Sequence, residues 1–268
     1  MCATICHYTT TQALNSILRR DGVYLWATHY EHLNDPNEHI WTQGAIKQFL
    51  MDKYKITESD LTELYSKYPY IISFCAIPDY MNMWRLYCND GHGIMLEFDY
   101  NEIFKESEKH KRQTNNEDWD MFLGVTYSSL KDLNKMFSVA KRAYTQLYED
   151  CDGIENDLGV CTFIKNEDYN IEDEIRYVRM KENDILFSEQ GECIPYENKD
   201  GILYRMREAE LISYTEIKFI PSAIKKIIVG YRLNFEKTCE GIHAILNQYG
   251  DVYGHLKDNI VPSQIGII

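Results

Sequence analysis

The sequence predicts an α+β fold in which helices flank a mixed, mostly antiparallel sheet. Three observations carry this. Short apolar runs of strand length are interspersed with stretches of helical periodicity along the whole chain. They do not follow the regular strand–helix alternation that builds a parallel sheet. The chain's 268 residues, 44% hydrophobic and 26% charged, have the length and composition of a globular domain with a core of its own. Residues 1–268 read as one domain, with 101–150 as a mainly helical insertion.

Ile5–Thr9 is the first expected strand. Ala13, Leu14, Ile17 and Leu18 then recur at helical spacing, and a helix is expected over Thr11–Arg20. Asp21-Gly22 stops it, and Val23–Thr28 is a second strand. After a loop, Asp35, Pro36 and Glu38 form an acidic capping box for a helix running to Leu50. Another helix is expected over Ser59–Lys67. Tyr70–Ile77 reads as a buried strand, and Pro78-Asp79 as the cap of a short helix holding Met83–Tyr87. Asn89–Gly93 is a turn before the strand Ile94–Phe98.

The charged stretch 101–120 reads as helix plus surface loop, and Val125–Tyr127 as a short strand. Lys131–Tyr148 places Leu133, Met136, Phe137, Ala140, Ala143, Tyr144 and Leu147 on one helical face. Asn156–Lys165 is helix or turn. Strands are expected at Glu174–Met180, Ile185–Ser188, Leu211–Phe219 and Ile224–Val229, then a helix over Glu236–Tyr249. Two more strands are expected near Asp251–His255 and Gln264–Ile268.

The formal net charge of -14 argues against a protein that coats nucleic acid or an anionic membrane. Residues 201–268 carry 8 bases and 7 acids, a net of +1, so the other 200 carry -15. That last quarter is the least hostile surface for a phosphate-bearing partner, or simply rich in buried strand. The N-terminus lacks a basic region with a long apolar stretch, and no window approaches about 18 apolar residues. Cysteines 2, 6, 75, 88, 151, 161, 193 and 239 form no Cys-x-x-Cys pair and read as reduced thiols. A cytoplasmic protein with no membrane contact is expected. No P-loop, dinucleotide fingerprint, nucleophile elbow or zincin motif is present.

Five clusters carry chemistry. His7-Tyr8-Thr9 at a strand end can hold a ribose hydroxyl while an aromatic stacks on a base, or can be core. In Asn34-Asp35-Pro36-Asn37-Glu38 the helix start accounts for every residue type except Asn34. His29, Glu31, His32, Asp35, Glu38 and His39 are metal-ligand types without a recurring metal spacing. In Met83–Tyr87, Trp84 and Tyr87 share a helix face, and Arg85 points elsewhere as a possible clamp for phosphate or carboxylate. In Glu172-Asp173-Glu174-Ile175-Arg176, a strand would project both glutamates and the arginine from one face. That row is either solvated ion pairs or a carboxylate that holds a ribose and steadies a cation-like centre.

In this order, and with Ser73-Phe74-Cys75, Gly93–Phe98 and Ile227–Gly230 between and after them, these motifs resemble a bacterial family, domain of unknown function 2971, over about residues 5–235. Asn37 departs from that family, which often has an aromatic there, as does the charged insertion at 101–120. A more remote resemblance is to the ADP-ribosyltransferase fold, carried by the His-x-Thr strand, the second strand ending in Thr28 and the late Glu-x-Glu. That resemblance implies a split sheet that binds NAD as a substrate. His7, with Tyr8 and Thr9, would hold the adenosine half and its ribose, and Thr28 would support the site. Trp26-Ala27-Thr28 stands where the fold usually has Ser-Thr-Ser. Glu174 would be catalytic with Glu172 assisting, and Asn34, Arg85, Tyr87 and Arg176 would line the pocket. The expectation is an enzyme that cleaves NAD and transfers ADP-ribose to a protein or nucleic-acid acceptor, in the toxin or phage-defence setting the family suggests. The alternatives are a non-enzymatic binding or regulatory module of the same fold, and a metal-dependent hydrolase using the His29–His39 cluster.

Overall fold

The computed structural model describes residues 4–33, 47–61, 69–110, 119–128, 133–148, 153–181, 201–207 and 210–266. Within them the fold is α+β. β1 (Thr4–Thr10) passes through a 3-10 turn into the short α1 (Leu14–Ile17), β2 (Leu18–Arg19) and β3 (Gly22–His29). Residues 47–54 (α2) and 58–61 (α3) are helical. β4 (Tyr70–Cys75), α4 (Met81–Tyr87), β5 (Gly93–Asp99) and α5 (Tyr100–Lys109) follow. Then come β6 (Trp119–Gly124), β7 (Thr126–Ser128), α6 (Leu133–Leu147), α7 (Ile154–Cys161), β8 (Ile164–Asn166) and β9 (Glu174–Met180). The chain ends with β10 (Ile202–Arg207), β11 (Glu210–Phe219), β12 (Ile224–Val229), α8 (Phe235–Gln248) and β13 (Ile260–Pro262).

Eleven strands form one sheet, in the order β10-β11-β3-β4-β1-β5-β12-β13, with β2 on β3 and with β9 and β6 branching from β4. Every pairing in it is antiparallel except β12 with β13. The branch at β4 shapes the molecule. One edge of β4 pairs along its whole length with β9. The other edge meets β3 only at Tyr70 and Ile71, and β1 only at Cys75. Between those contacts β1 and β3 diverge and the sheet splits.

The two sheet faces are buried differently. On one, Leu25, Phe74, Phe98, Phe122, Tyr177 and Phe219 pack beneath α1, α5 and α8 in the largest core. On the other, Met121, Val178 and Met180 pack under α6 and α7. A small cluster of Tyr8, Trp84 and Met95 lies under α4. Where the strands split, α1 with its preceding turn and α4 border the opening.

Several expectations change. The helix expected over Thr11–Arg20 stops at Ile17, because Leu18 and Arg19 pair with Val23 and Gly22. Pairing removes two residues that helical periodicity alone would retain. β6 and β10 were not anticipated, and 101–150 supplies a strand of the main sheet as well as helices. Asp251–His255 is turn and 3-10 helix, and Ile260–Pro262 is the last strand among the described residues; of the strand expected at Gln264–Ile268, residues 264–266 are not strand and the rest lie outside the described residues. Asp79 does not cap α4, whose N-cap is Tyr80. It accepts instead from the Trp84 indole at 2.7 Å, the Ser263 hydroxyl and the Gln264 amide, both at 2.6 Å, tying the C-terminal segment to α4. The expected strand at Ile185–Ser188 lies outside the described residues, as does the Asp35–Glu38 helix start.

Candidate functional site

The split opens as a cleft of about 600 Å³, the size class of small-molecule sites. Its lining comes from both sheet faces. His7 and Thr9 are contributed by β1, Trp26 and Thr28 by β3, Ser73 by β4, Tyr87 by α4, Lys165 by β8, Glu174 and Arg176 by β9, and Arg205 and Arg207 by β10.

The floor is a buried ion network. Cross-strand register sets Glu174 against Cys75 and Arg176 against Ser73, so both β9 side chains share the cleft face. Arg176 donates through Nε to Glu174 Oε1 at 2.8 Å and through Nη2 to Oε2 at 2.9 Å. Its Nη1 reaches the Thr162 carbonyl at 2.6 Å. The buried Lys165 donates to Glu174 at 3.2 Å and to Glu172 at 2.7 Å. The Tyr87 hydroxyl donates to the other Glu172 oxygen at 3.1 Å.

Glu172 is not on the strand, as a simple period-2 reading had it. It ends a 3-10 turn and is followed by Asp173 in the left-handed region at φ 41°. That kink lets both acids face Lys165. The Tyr127 hydroxyl accepts the Glu174 amide at 2.8 Å and fixes where β9 begins.

The two acids titrate in opposite directions. Burial pushes both up. For Glu172 burial wins over Lys165 and Tyr87, and its carboxyl is raised. For Glu174 the Arg176 guanidinium, Lys165 and a bond from the Ser73 side chain outweigh burial, and it is held well below the usual carboxylate range. Glu174 therefore stays anionic with its lone pairs engaged, and Glu172 keeps acceptor capacity. The floor sets two basic side chains, Lys165 and Arg176, against two acidic ones.

The walls follow from the strand register. His7 Nδ1 lies 3.0 Å from the Ser73 carbonyl, on the β4 edge left without a strand partner. Burial lowers its pKa while that bond raises it, and the net is a more neutral imidazole. Tyr8 borders the cleft, but its ring is buried edge-on against Trp84, and its hydroxyl bridges Ile77 and Tyr80. Tyr24, Trp26 and Thr28 alternate onto one face of β3. Trp26 donates to Glu216 at 3.2 Å, and Glu216 is paired with Arg19. Thr28 accepts from Arg205 Nη2 at 3.2 Å.

Of the residues singled out from sequence, His7, Tyr8, Thr9, Thr28, Tyr87, Glu172, Glu174 and Arg176 all border this one cleft. Arg85 does not. It projects to solvent at 61% side-chain exposure and lies 3.8 Å from Asp90. Asn34 lies outside the described residues. Sequence reasoning missed Lys165, Arg205 and Arg207. The lone lysine in Thr-Phe-Ile-Lys, and the alternation Tyr204-Arg205-Met206-Arg207, were the available signals.

Among the described residues no group of three His, Cys, Asp or Glu side chains could hold a metal ion. His29 is buried against Tyr30 and Tyr70, and Asp35, Glu38 and His39 lie outside the described residues. Cys6, Cys75, Cys88, Cys161 and Cys239 are free thiols. No helix among the described residues is long and apolar enough to cross a membrane.

The model of a protein family of unknown function, DUF2971, matches residues 83–177. The matched segment includes most of α4, together with Lys165, Glu172, Glu174 and Arg176. No curated protein matches the chain, and no solved structure matches it.

Proposed function

We propose that the protein cleaves NAD at the bond between nicotinamide and ribose and transfers the ADP-ribose to an acceptor group on a macromolecule. The observation that carries this reading is the convergence of His7, Thr28, Glu172 and Glu174, from three separate segments, on the cleft where the sheet splits. In the reaction the C1′–N bond breaks and its electron pair leaves with nicotinamide. An acceptor heteroatom forms the new bond to C1′ and gives up its proton. Positive charge develops on the ribose between these events, and a fixed anion beside it is worth several kcal/mol of barrier.

Glu174, already bound by Arg176, Lys165 and Ser73, is the fixed anion. Glu172, oriented by Tyr87 and Lys165, holds the ribose hydroxyl. His7 takes the adenosine-side ribose as a neutral imidazole. The two basic side chains of the floor ease the difficulty of admitting anionic NAD into a chain of net charge -14.

The test is nicotinamide release and transfer of labelled ADP-ribose by wild type and Glu172→Gln, with cell extract as acceptor source. Wild type is expected to release nicotinamide, and the variant to fall about 100-fold or more. No release by wild type, or equal release by the variant, overturns the reading.

One observation favours a second reading, a module that binds the nucleotide without cleaving it. Glu174 is saturated by donors from the protein itself. In that case NAD and ADP-ribose raise the melting temperature equally, and no nicotinamide appears.

A further inference from the structure

We propose that Arg205, with Arg207 beside it on β10, forms an anion subsite for the diphosphate of a nucleotide ligand. The inference deepens the reading above and rests on it for the remainder of the ligand. The subsite itself requires binding only.

Arg205 differs from four other arginines of the chain. Arg19, Arg176, Arg179 and Arg232 each face a carboxylate. Arg205, half-buried in the cleft wall, pairs with no carboxylate among the described residues. Its one hydrogen bond there goes to the neutral Thr28 hydroxyl, and its Nε is buried with no partner. The nearby Glu216 is engaged by Arg19 and by the Trp26 indole. In a chain with 42 acids to 28 bases, an unneutralised guanidinium costs stability unless an anion arrives.

The guanidinium is also held in place. Its carbon lies 5.0 Å from the Trp26 ring centroid and 5.9 Å from that of Tyr214. The two rings sit 4.8 Å apart, and Glu216 anchors the indole. Stacking of this kind orients the guanidinium fork before any ligand binds, which lowers the entropy lost on recognising phosphate. Burial, and then the charge of Arg207, depress its pKa. An incoming anion relieves both penalties.

The cleft selects the class of anion. It is a cleft of small-molecule size walled by Tyr24, Trp26 and Tyr87, so a free nucleotide fits better than a polyanion on this acidic surface. Arg205 and Arg207 are two residues apart on one strand, so both project to the same face. Arg207 thereby adds a second positive charge beside Arg205. Thr28, bonded to Arg205, joins this corner to the ribose end of the cleft.

The experiment is titration calorimetry of adenosine, ADP and ADP-ribose against wild type, Arg205→Leu and Arg205→Lys, with thermal melts to confirm folding. Wild type is expected to bind ADP and ADP-ribose about tenfold or more tightly than adenosine. Arg205→Leu should lose that preference while its affinity for adenosine is unchanged. Arg205→Lys, which keeps the charge but not the fork, should retain part of it. If the leucine variant fails to fold, a reduced preference in the lysine variant supports the subsite and an undiminished one overturns it. Wild type that shows no phosphate preference, or binds none of the three ligands, also overturns it. A preference lost in the variants, with no nicotinamide released from NAD by wild type, keeps the subsite and removes the enzyme. Nicotinamide release with an unchanged KM for NAD in Arg205→Leu does the reverse.

Discussion

The two faces of β9 carry the same chemistry in two different states. On the core side Arg179 donates through Nε and Nη2 to Asp120, at 2.7 and 2.6 Å, and the Tyr177 hydroxyl completes the carboxylate at 2.5 Å. One buried anion there meets one cation and one phenol among aromatic rings. On the cleft side Arg176 makes a similar fork with Glu174, but a second carboxylate and a lysine join it. There the extra acid, Glu172, is pushed toward its protonated form and faces an open cavity. Structural ion-pair networks perturb pKa values as functional sites do. What separates these two is the surplus acceptor beside a cavity, and this makes the cleft network the functional candidate.

The largest expected effect breaks the core side. Asp120→Ala leaves Arg179 and Tyr177 without their acceptor in the main core and should cost about 3–5 kcal/mol. Urea unfolding reads this directly. Ligand affinity of the folded fraction should not change, and a selective loss of affinity would show that the two faces are coupled. Glu174→Gln comes next, at about 2–3 kcal/mol, because Glu172 and cleft water can answer part of the exposed charge.

Glu172→Gln should move stability by no more than about 1 kcal/mol near neutral pH, and its sign depends on pH. The Glu174 pKa is lowered on folding, so its contribution is present above its ordinary value of 4.5 and is lost as pH falls through the lowered value. The Glu172 pKa is raised, so its contribution is present below 4.5 and is lost as pH rises through the raised value. Melting curves against pH should therefore separate the variants. Glu172→Gln gains on wild type as pH climbs from 4.5, and Glu174→Gln falls behind as pH climbs toward 4.5. Parallel curves would mean that the two acids do not differ as described.

The parts of this comparison were unequally legible in the sequence. The strand Tyr70–Cys75 announces itself, because a strand buried on both faces is a short apolar run. β6 was hidden behind the charged stretch before Trp119, and β10 because its arginines look solvated until the cleft is known. α1 was overestimated because pairing of Leu18 and Arg19 with β3 overrides helical periodicity. In the site, Glu172, Glu174 and Arg176 were visible as a local row. Lys165 and Arg205 were not, since their importance lies in partners brought together by β4, β8 and β10. The branch at β4, which creates the cleft, is a matter of register between distant strands, and no local motif encodes it.

The smallest expected effect sharpens the comparison from outside. Arg85 sits between Trp84 and Leu86 in the motif segment and looked from sequence like a clamp for an anionic ligand. Its side chain is mostly exposed, and its contact with Asp90 is long at 3.8 Å, while Asp90 has a closer partner in Arg232 at 2.7 Å. Exposed pairs of this kind contribute little. Arg85→Ala should therefore change stability by less than about 0.5 kcal/mol and leave the affinity for ADP unchanged in the same calorimetric titration. Arg205→Leu in the same segmentally acidic protein removes an equal charge. If binding followed net charge alone, the two variants would weaken it equally. Only a difference between them assigns recognition to the cleft wall.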